Sequence, residues 1–375
     1  MKRKFIIVAT LVAFVTGSSF LAQPDPSAAL RALYEKPVSE WPKPDIDAGI
    51  VYAEFKPLPT VDTSYFRIIA QPKVNLGKLL FFDPILSSSN QISCSSCHDP
   101  HLSWGDGRRV SLGTDHLEGT RNTPSLLNVA QRKSFFWDGR AASLEAQAAF
   151  PIQTHHEMDM NIEKLGPKLS QIKAYQKLFK EAFGTTQVTQ EMIVGAIAAF
   201  QETITSRKSR FDKFMEGDYK ALSDQELYGM HLFRTKARCM NCHNGQYLTD
   251  ESFHNIGLTY YKRKYQDLGR YEITHDANDV GKFKTPSLRD VMHNAPWMHN
   301  GLFNDITGVV NIYNSGMHMI DPKPEQKAQD SLFPYTDPIL HKLNLTKDEI
   351  GAIVAFMDAI TATQYKMQRP ELPRD

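Results

Sequence analysis

The segment Cys94-Ser95-Ser96-Cys97-His98 decides how this chain is read, and it recurs as Cys239-Met240-Asn241-Cys242-His243. C-x-x-C-H is the spacing that attaches a c-type haem. The two thiols add to the vinyl groups of the porphyrin, and the adjacent His is set to become the proximal iron ligand. The other readings of paired cysteines are a zinc site, a C-x-x-C redox pair or disulfides. The two copies use all four cysteines of the chain and both carry His at the next position, which favours two covalently bound c-type haems.

Working outward, the 375-residue chain is long enough for two ordinary domains. Its 43 basic residues nearly balance 42 acidic ones, so there is no nucleic-acid footprint, and any partner is met through local patches. At the N-terminus, Lys2, Arg3 and Lys4 precede an apolar run from Phe5 to Val15 and then small residues. This is the pattern of a secretory signal over residues 1–22, with Ala22 at the cleavage point, although Phe20 fits the −3 position poorly. An uncleaved anchor is the alternative. Cleavage and a periplasmic location suit haem c, which is attached outside the cytoplasm. No other segment is apolar enough to span a membrane.

Residues 23–65 are rich in Pro and read as a lead-in lying over the surface, with one helix near Ala28–Tyr34. A helix is predicted from Asn75 to Phe82, stopped before Pro84. The spacing of Ile193, Ile197, Phe200 and Ile204 predicts a helix over 189–205 that closes an N-terminal domain, 66–205. Polar residues from Ser206 to Asp218 read as a linker. Ser223 with Glu226, and Thr346 with Glu349, are capping boxes that open two further helices of a C-terminal domain, 206–362. Residues 363–375 read as a tail.

The two halves repeat each other beyond the cysteines. Thr123-Pro124-Ser125-Leu126-Leu127-Asn128-Val129 matches Thr285-Pro286-Ser287-Leu288-Arg289-Asp290-Val291, and Trp137-Asp138-Gly139-Arg140 then matches His299-Asn300-Gly301-Leu302. Such self-similarity implies two domains of one fold. The fold class expected is mainly α, with two cytochrome c-like haem domains related by internal duplication and long loops. In this register Tyr313 of the second copy falls opposite Pro151 of the first. Tyr can ligate iron and Pro cannot. A haem that does chemistry needs an open axial site, whereas an electron-transfer haem has both filled. The duplication therefore points to a reacting haem in the N-terminal half and a storage haem in the C-terminal half.

Over roughly residues 70–360 the chain resembles the bacterial di-haem cytochrome c peroxidases and their MauG relatives. The resemblance is carried by Leu76-Gly77-Lys78-Leu79-Leu80-Phe81-Phe82-Asp83-Pro84, both haem motifs, Asn122-Thr123-Pro124 and Phe136-Trp137-Asp138-Gly139-Arg140. Pro151-Ile152-Gln153 and Lys284-Thr285-Pro286-Ser287-Leu288-Arg289 extend it. It implies that Trp137 relays electrons between the haems, that Glu157 is the distal catalytic carboxylate, and that Gln147 is the distal glutamine. It also implies one Ca²⁺ ion between the domains, at Asn122 and the backbone around Asn294 and Pro296, where oxygen-only donors suit that ion.

Departures from the family pattern point to the MauG-like branch. Ordinary members carry a distal His on the peroxidatic haem, and the aligned residue here is Thr114; His116, two residues on, is the substitute ligand, and His101 a weaker one. On the second iron the usual Met is replaced by Tyr313, as in MauG, with Met317 and Met319 as fallbacks. The function implied is a periplasmic peroxide-dependent oxidoreductase that oxidises Trp or Tyr side chains of a partner protein. Trp297 and the insert bearing Tyr260, Tyr261, Tyr265 and Tyr271 are candidate routes to the surface, the bland reading of those tyrosines being an ordinary amphipathic loop. An ordinary peroxidase fed by a small cytochrome or cupredoxin, and a non-catalytic di-haem electron carrier, are the alternatives. Family members are often homodimers.

Overall fold

The computed structural model describes residues 26–60, 63–364 and 367–374. The expected signal segment, 1–22, lies outside them. The protein is mainly helical; among the described residues the sheet structure is a two-stranded antiparallel ribbon pairing Phe253 with Lys284 and His254 with Phe283.

Two hydrophobic cores organise the helices. The first gathers Leu76, Leu80 and Phe81 from the helix Pro72–Phe82, Phe179 from Lys173–Phe183, and Ile193, Ile197 and Phe200 from Gln190–Gln201. The second gathers Leu227, Met230 and Phe233 from Asp224–Arg234, Val309 and Val310 from Ile306–Asn314, and Ile353 and Phe356 from Lys347–Ala359. Local chemistry explains the helix starts. Pro72 sits at the first turn, where its missing N–H costs nothing, so this helix begins before the expected Asn75. Both capping boxes form: the Glu226 N–H donates to Ser223 Oγ at 3.3 Å and the Ser223 N–H to Glu226 Oε2 at 2.8 Å, with the same exchange at Thr346 and Glu349.

The duplication extends to a pair of helix crossings. A Cβ on Gly77 would lie 1.8 Å from the Ala196 carbonyl oxygen and 3.0 Å from Phe200 Cβ. A Cβ on Gly229 would lie 1.9 Å from the Ala352 oxygen and 2.9 Å from Phe356 Cβ. Each half thus crosses its helix before the haem motif over its closing helix at a glycine, backbone against backbone. Gly229→Ala should force the crossing apart and cost about 1–3 kcal/mol as an overpacking change. Urea denaturation of the holo-protein measures this, and a loss under about 0.5 kcal/mol would mean the crossing is looser than described.

Three segments differ from the sequence reading. The Pro-rich lead-in is no surface strap: Tyr34, Trp41 and Phe55 are buried in the second core, and the buried Arg234 binds Glu54 and the Pro42 carbonyl. The polar stretch read as a linker contains the helix Arg210–Met215, with Phe211 and Phe214 fully buried. The described part of the C-terminal tail crosses to the first core, where Met367 and Leu372 pack, Gln364 Nε2 donates to Ser103 Oγ and Arg369 pairs with Asp99. The two chain ends therefore each support the half that is distant in sequence.

Candidate active site

Both haem motifs form the floor of a cavity. Cys94 to Cys97 is a single helical turn opened by Ser93, whose N–H donates to Ser96 Oγ at 3.0 Å, and the His98 N–H closes it on the Cys94 carbonyl. The His98 ring is fixed by Nδ1, which donates to the Trp104 carbonyl at 2.9 Å. His243 does the same with the Leu248 carbonyl at 3.1 Å. This tautomer leaves Nε2 with a free lone pair, as an iron ligand requires. Burial depresses both imidazole pKa values, which favours the neutral ligating form. The four cysteines are unbridged. The donor sets and the cavities fit two porphyrins attached through thioethers.

The first cavity is lined by Cys94, Cys97 and His98 and by Trp137, Arg140, Gln147, Pro151, His156 and Glu157. Glu157 and Gln147 are thus brought to the same space as His98. Burial raises the Glu157 carboxyl, and Arg140 partly offsets it. Pro151 lies inside the helix Leu144–Gln153 and offers no ligating atom. Thr114 is buried but does not line the cavity; its N–H and Oγ1 donate to the Glu157 carbonyl at 2.8 and 3.0 Å, so it braces the segment that carries Glu157. His116 and His101 are exposed and do not line this cavity, so the structure does not bring either to the first iron position.

The second cavity is lined by Cys239, Cys242 and His243, with Trp297, His299, Tyr313 and Met357. Burial pushes the Tyr313 phenol well above its ordinary value, so ionising it needs a nearby positive charge such as ferric iron. Met317 is buried away from this lining and Met319 is exposed. Of the residues expected at a calcium site, Asn122, Asn294 and Pro296 all line this cavity. Asn294 Oδ1 is buried without a hydrogen-bond partner, an orphaned oxygen that suits a hard cation.

Trp137 lines both cavities, and its Nε1 donates to the Asn122 carbonyl at 2.8 Å. Around it the repeats exchange matching hydrogen bonds: Asn122 N–H to the His299 carbonyl at 2.7 Å, and Lys284 N–H to the Trp137 carbonyl at 2.8 Å.

His254 was not singled out by the sequence. It lines the second cavity between Asp250, 2.9 Å from Nε2, and Asp337, 2.6 Å from Nδ1. Burial disfavours its charge, but these carboxylates, with the Cys242 sulfur beside them, outweigh that and raise its pKa. Cys242, Asp250 and His254 are the one cluster of His, Cys and acidic residues with metal-binding spacing among the described residues. Both ring nitrogens of His254 are already taken by carboxylates and Cys242 belongs to a haem motif, so the cluster is not a zinc site. Only the Asp250–His254 spacing is visible in the sequence; Asp337 comes from far along the chain.

A family profile described as di-haem cytochrome c peroxidase matches residues 71–220. The methylamine utilization protein MauG of Methylophilus methylotrophus is 36% identical over 305 residues, covering 80% of this chain and 86% of the relative. The cytochrome c551 peroxidase of Nitrosomonas europaea is 35% identical over 299 residues, covering 80% and 82%. Among solved structures, a MauG-like protein associated with microbial copper homeostasis superposes with a TM-score of 0.69 at 27% identity, covering 85% of this chain and 96% of that one. With paired haem motifs, paired cavities and relatives of this closeness along most of its length, the chain belongs to the family of di-haem cytochrome c peroxidases and MauG proteins.

Proposed function

We propose that this protein reacts with hydrogen peroxide in the first cavity and oxidises a partner protein, in the manner of MauG rather than of an ordinary peroxidase. One asymmetry carries the reading: Tyr313 lines the second cavity, and its equivalent in the first is Pro151. The peroxide-binding side is left open, and the storage side gains a hard anionic donor that favours ferric and higher states.

Bound haem supplies iron that takes up peroxide and holds oxidising equivalents. The residues of the chain do the rest. Glu157 takes a proton from one peroxide oxygen and returns it to the other, which makes water the leaving group. Gln147 offers a hydrogen-bonding amide beside it. Trp137, in the wall shared by the cavities, is the route for electrons between them. Reduction of peroxide to two waters consumes two electrons and two protons, and the electrons come from Trp or Tyr side chains of the partner. Two haem domains, 66–205 and 206–362, a periplasmic location after signal removal, and one calcium ion held through Asn122 and the segment around Asn294 and Pro296 belong to the same proposal. No helix among the described residues is long and apolar enough to cross a membrane.

The cytochrome c551 peroxidase relative favours a second reading, peroxide removal with electrons from a small cytochrome or cupredoxin. Rapid mixing of the fully oxidised holo-protein with stoichiometric peroxide separates the two. The expected result is one high-spin and one low-spin ferric haem at rest, with both absorbance spectra changing on mixing and no prior reduction. If both haems are low-spin and peroxide acts only after one-electron reduction, the protein is an ordinary peroxidase. Cyanide that binds neither ferric haem would instead mark an electron carrier.

A further inference from the structure

Trp137 and His299 are equivalent residues of the two repeats, and they meet: their ring centroids are 6.4 Å apart at 70°. Their polar ends are treated differently. Trp137 Nε1 has the Asn122 carbonyl as acceptor. His299 is only 2% exposed and stacks on Phe283, with centroids 3.6 Å apart and planes 11° from parallel. Its Nε2 is buried with no hydrogen-bond partner in the protein.

Leaving a buried polar atom unpaired forfeits its hydration with nothing in return. A ring nitrogen held this firmly therefore fits a partner that the polypeptide does not provide. His299 lines the second cavity, whose occupant is a porphyrin bearing two propionate carboxylates. Arg121, a cation near His299, is already bonded to Asp138 and Asp267, and Lys284, which lines the cavity, to Glu251, so neither has much left to offer a carboxylate there. A neutral imidazole has one N–H to give, and a carboxylate oxygen is a strong acceptor for it.

We propose that His299 Nε2–H donates to a propionate carboxylate of the haem in the second cavity, fixing that haem against the ring in contact with Trp137. This rests on the two-haem reading of the chain. The two would fail differently: an alkaline pyridine haemochrome assay of the intact holo-protein would show fewer than two haems per chain if that reading were wrong, and two if only this inference were.

The test is resonance Raman of the propionate bending bands, with a redox titration of both haems, on His299→Phe and His299→Gln holo-proteins. Phe keeps the stack on Phe283 and removes the donor; Gln restores an N–H. His299→Phe should shift the band of the second haem and lower its midpoint potential, because a less compensated carboxylate favours ferric iron, and should leave the first haem unchanged. His299→Gln should return both observables towards wild type. An unchanged band and potential in His299→Phe, or a change that Gln does not reverse, overturns the proposal. If neither variant loads the second haem, the wild-type protein decides: the band shifts after exchange into D2O if a proton is donated, and an unshifted band overturns the assignment.

Discussion

Replacing Glu157 with Gln should lower kcat/KM for peroxide by about 10²–10⁴-fold, the range for losing a positioned acid–base group. Haem content and the resting spectra should stay as in the wild type, because Gln keeps the shape and polarity of the side chain and the Thr114 bonds reach only the Glu157 backbone. The pH profile carries the stronger information. Glu157 must be ionised to accept the first peroxide proton, so activity should rise with pH as the carboxyl loses its own proton. Burial raises that pKa above the ordinary 4.5, and Arg140 opposes the shift only in part, so the acid limb should lie above the usual carboxylate range. Glu157→Gln should abolish the limb as well as the rate, and Glu157→Asp, one methylene shorter, should keep the limb at a reduced rate. A Gln variant within about threefold of wild type would remove Glu157 from the chemistry, since general acid–base catalysis contributes far more.

What could be read from the sequence was what covalent or very local chemistry fixes. Thioether attachment needs two thiols and a His at set spacing, so the haem motifs stand out without any structure. Capping boxes are complete within four residues, so Ser223 and Thr346 mark helix starts that the structure reproduces. The duplication was legible because the turn geometry repeats: Asn128 and Asp290 both adopt positive φ, as do Gly139 and Gly301. Contacts between segments far apart were not legible. Tyr34, Trp41 and Phe55 look like isolated apolar residues in a Pro-rich stretch, and only the fold reveals the second core that receives them. Phe211 and Phe214 sit three residues apart among charges, too short a pattern to announce a helix. The register pairs Trp137 with His299 as counterparts, yet nothing in the sequence says that counterparts touch. Ser206 makes the same point: it bonds both Asn128 and Asp290, so the start of the expected linker is held where the two repeats converge.

Arg289→Met should cost about 3–5 kcal/mol, the loss expected when one partner of a buried ion pair is removed and the other charge is left behind. Arg289 and Asp212 are 1% and 0% exposed, with NH1 2.8 Å from Asp212 Oδ1. The same guanidinium donates to the Gln246 carbonyl through Nε and NH2, at 2.9 and 2.7 Å, and to the Lys56 carbonyl at 2.9 Å. Asp212 in turn accepts the Leu58 N–H at 2.8 Å. One ion pair therefore ties the lead-in, the Arg210–Met215 helix and the wall of the second cavity together. Burial lowers the Arg289 pKa, but arginine starts so far above neutrality that the guanidinium stays charged. Met matches much of the apolar stem, so the loss reports the charge and its donors rather than a cavity. Denaturation of the holo-protein followed through the absorbance of the second haem should show it, together with faster proteolysis within residues 37–60. Adding Asp212→Asn should cost less than the sum of the single changes, because Asn leaves no unpaired charge. A loss below about 1 kcal/mol, or full additivity, would mean that the lead-in is held by its aromatic residues alone and that the second haem does not depend on this pair.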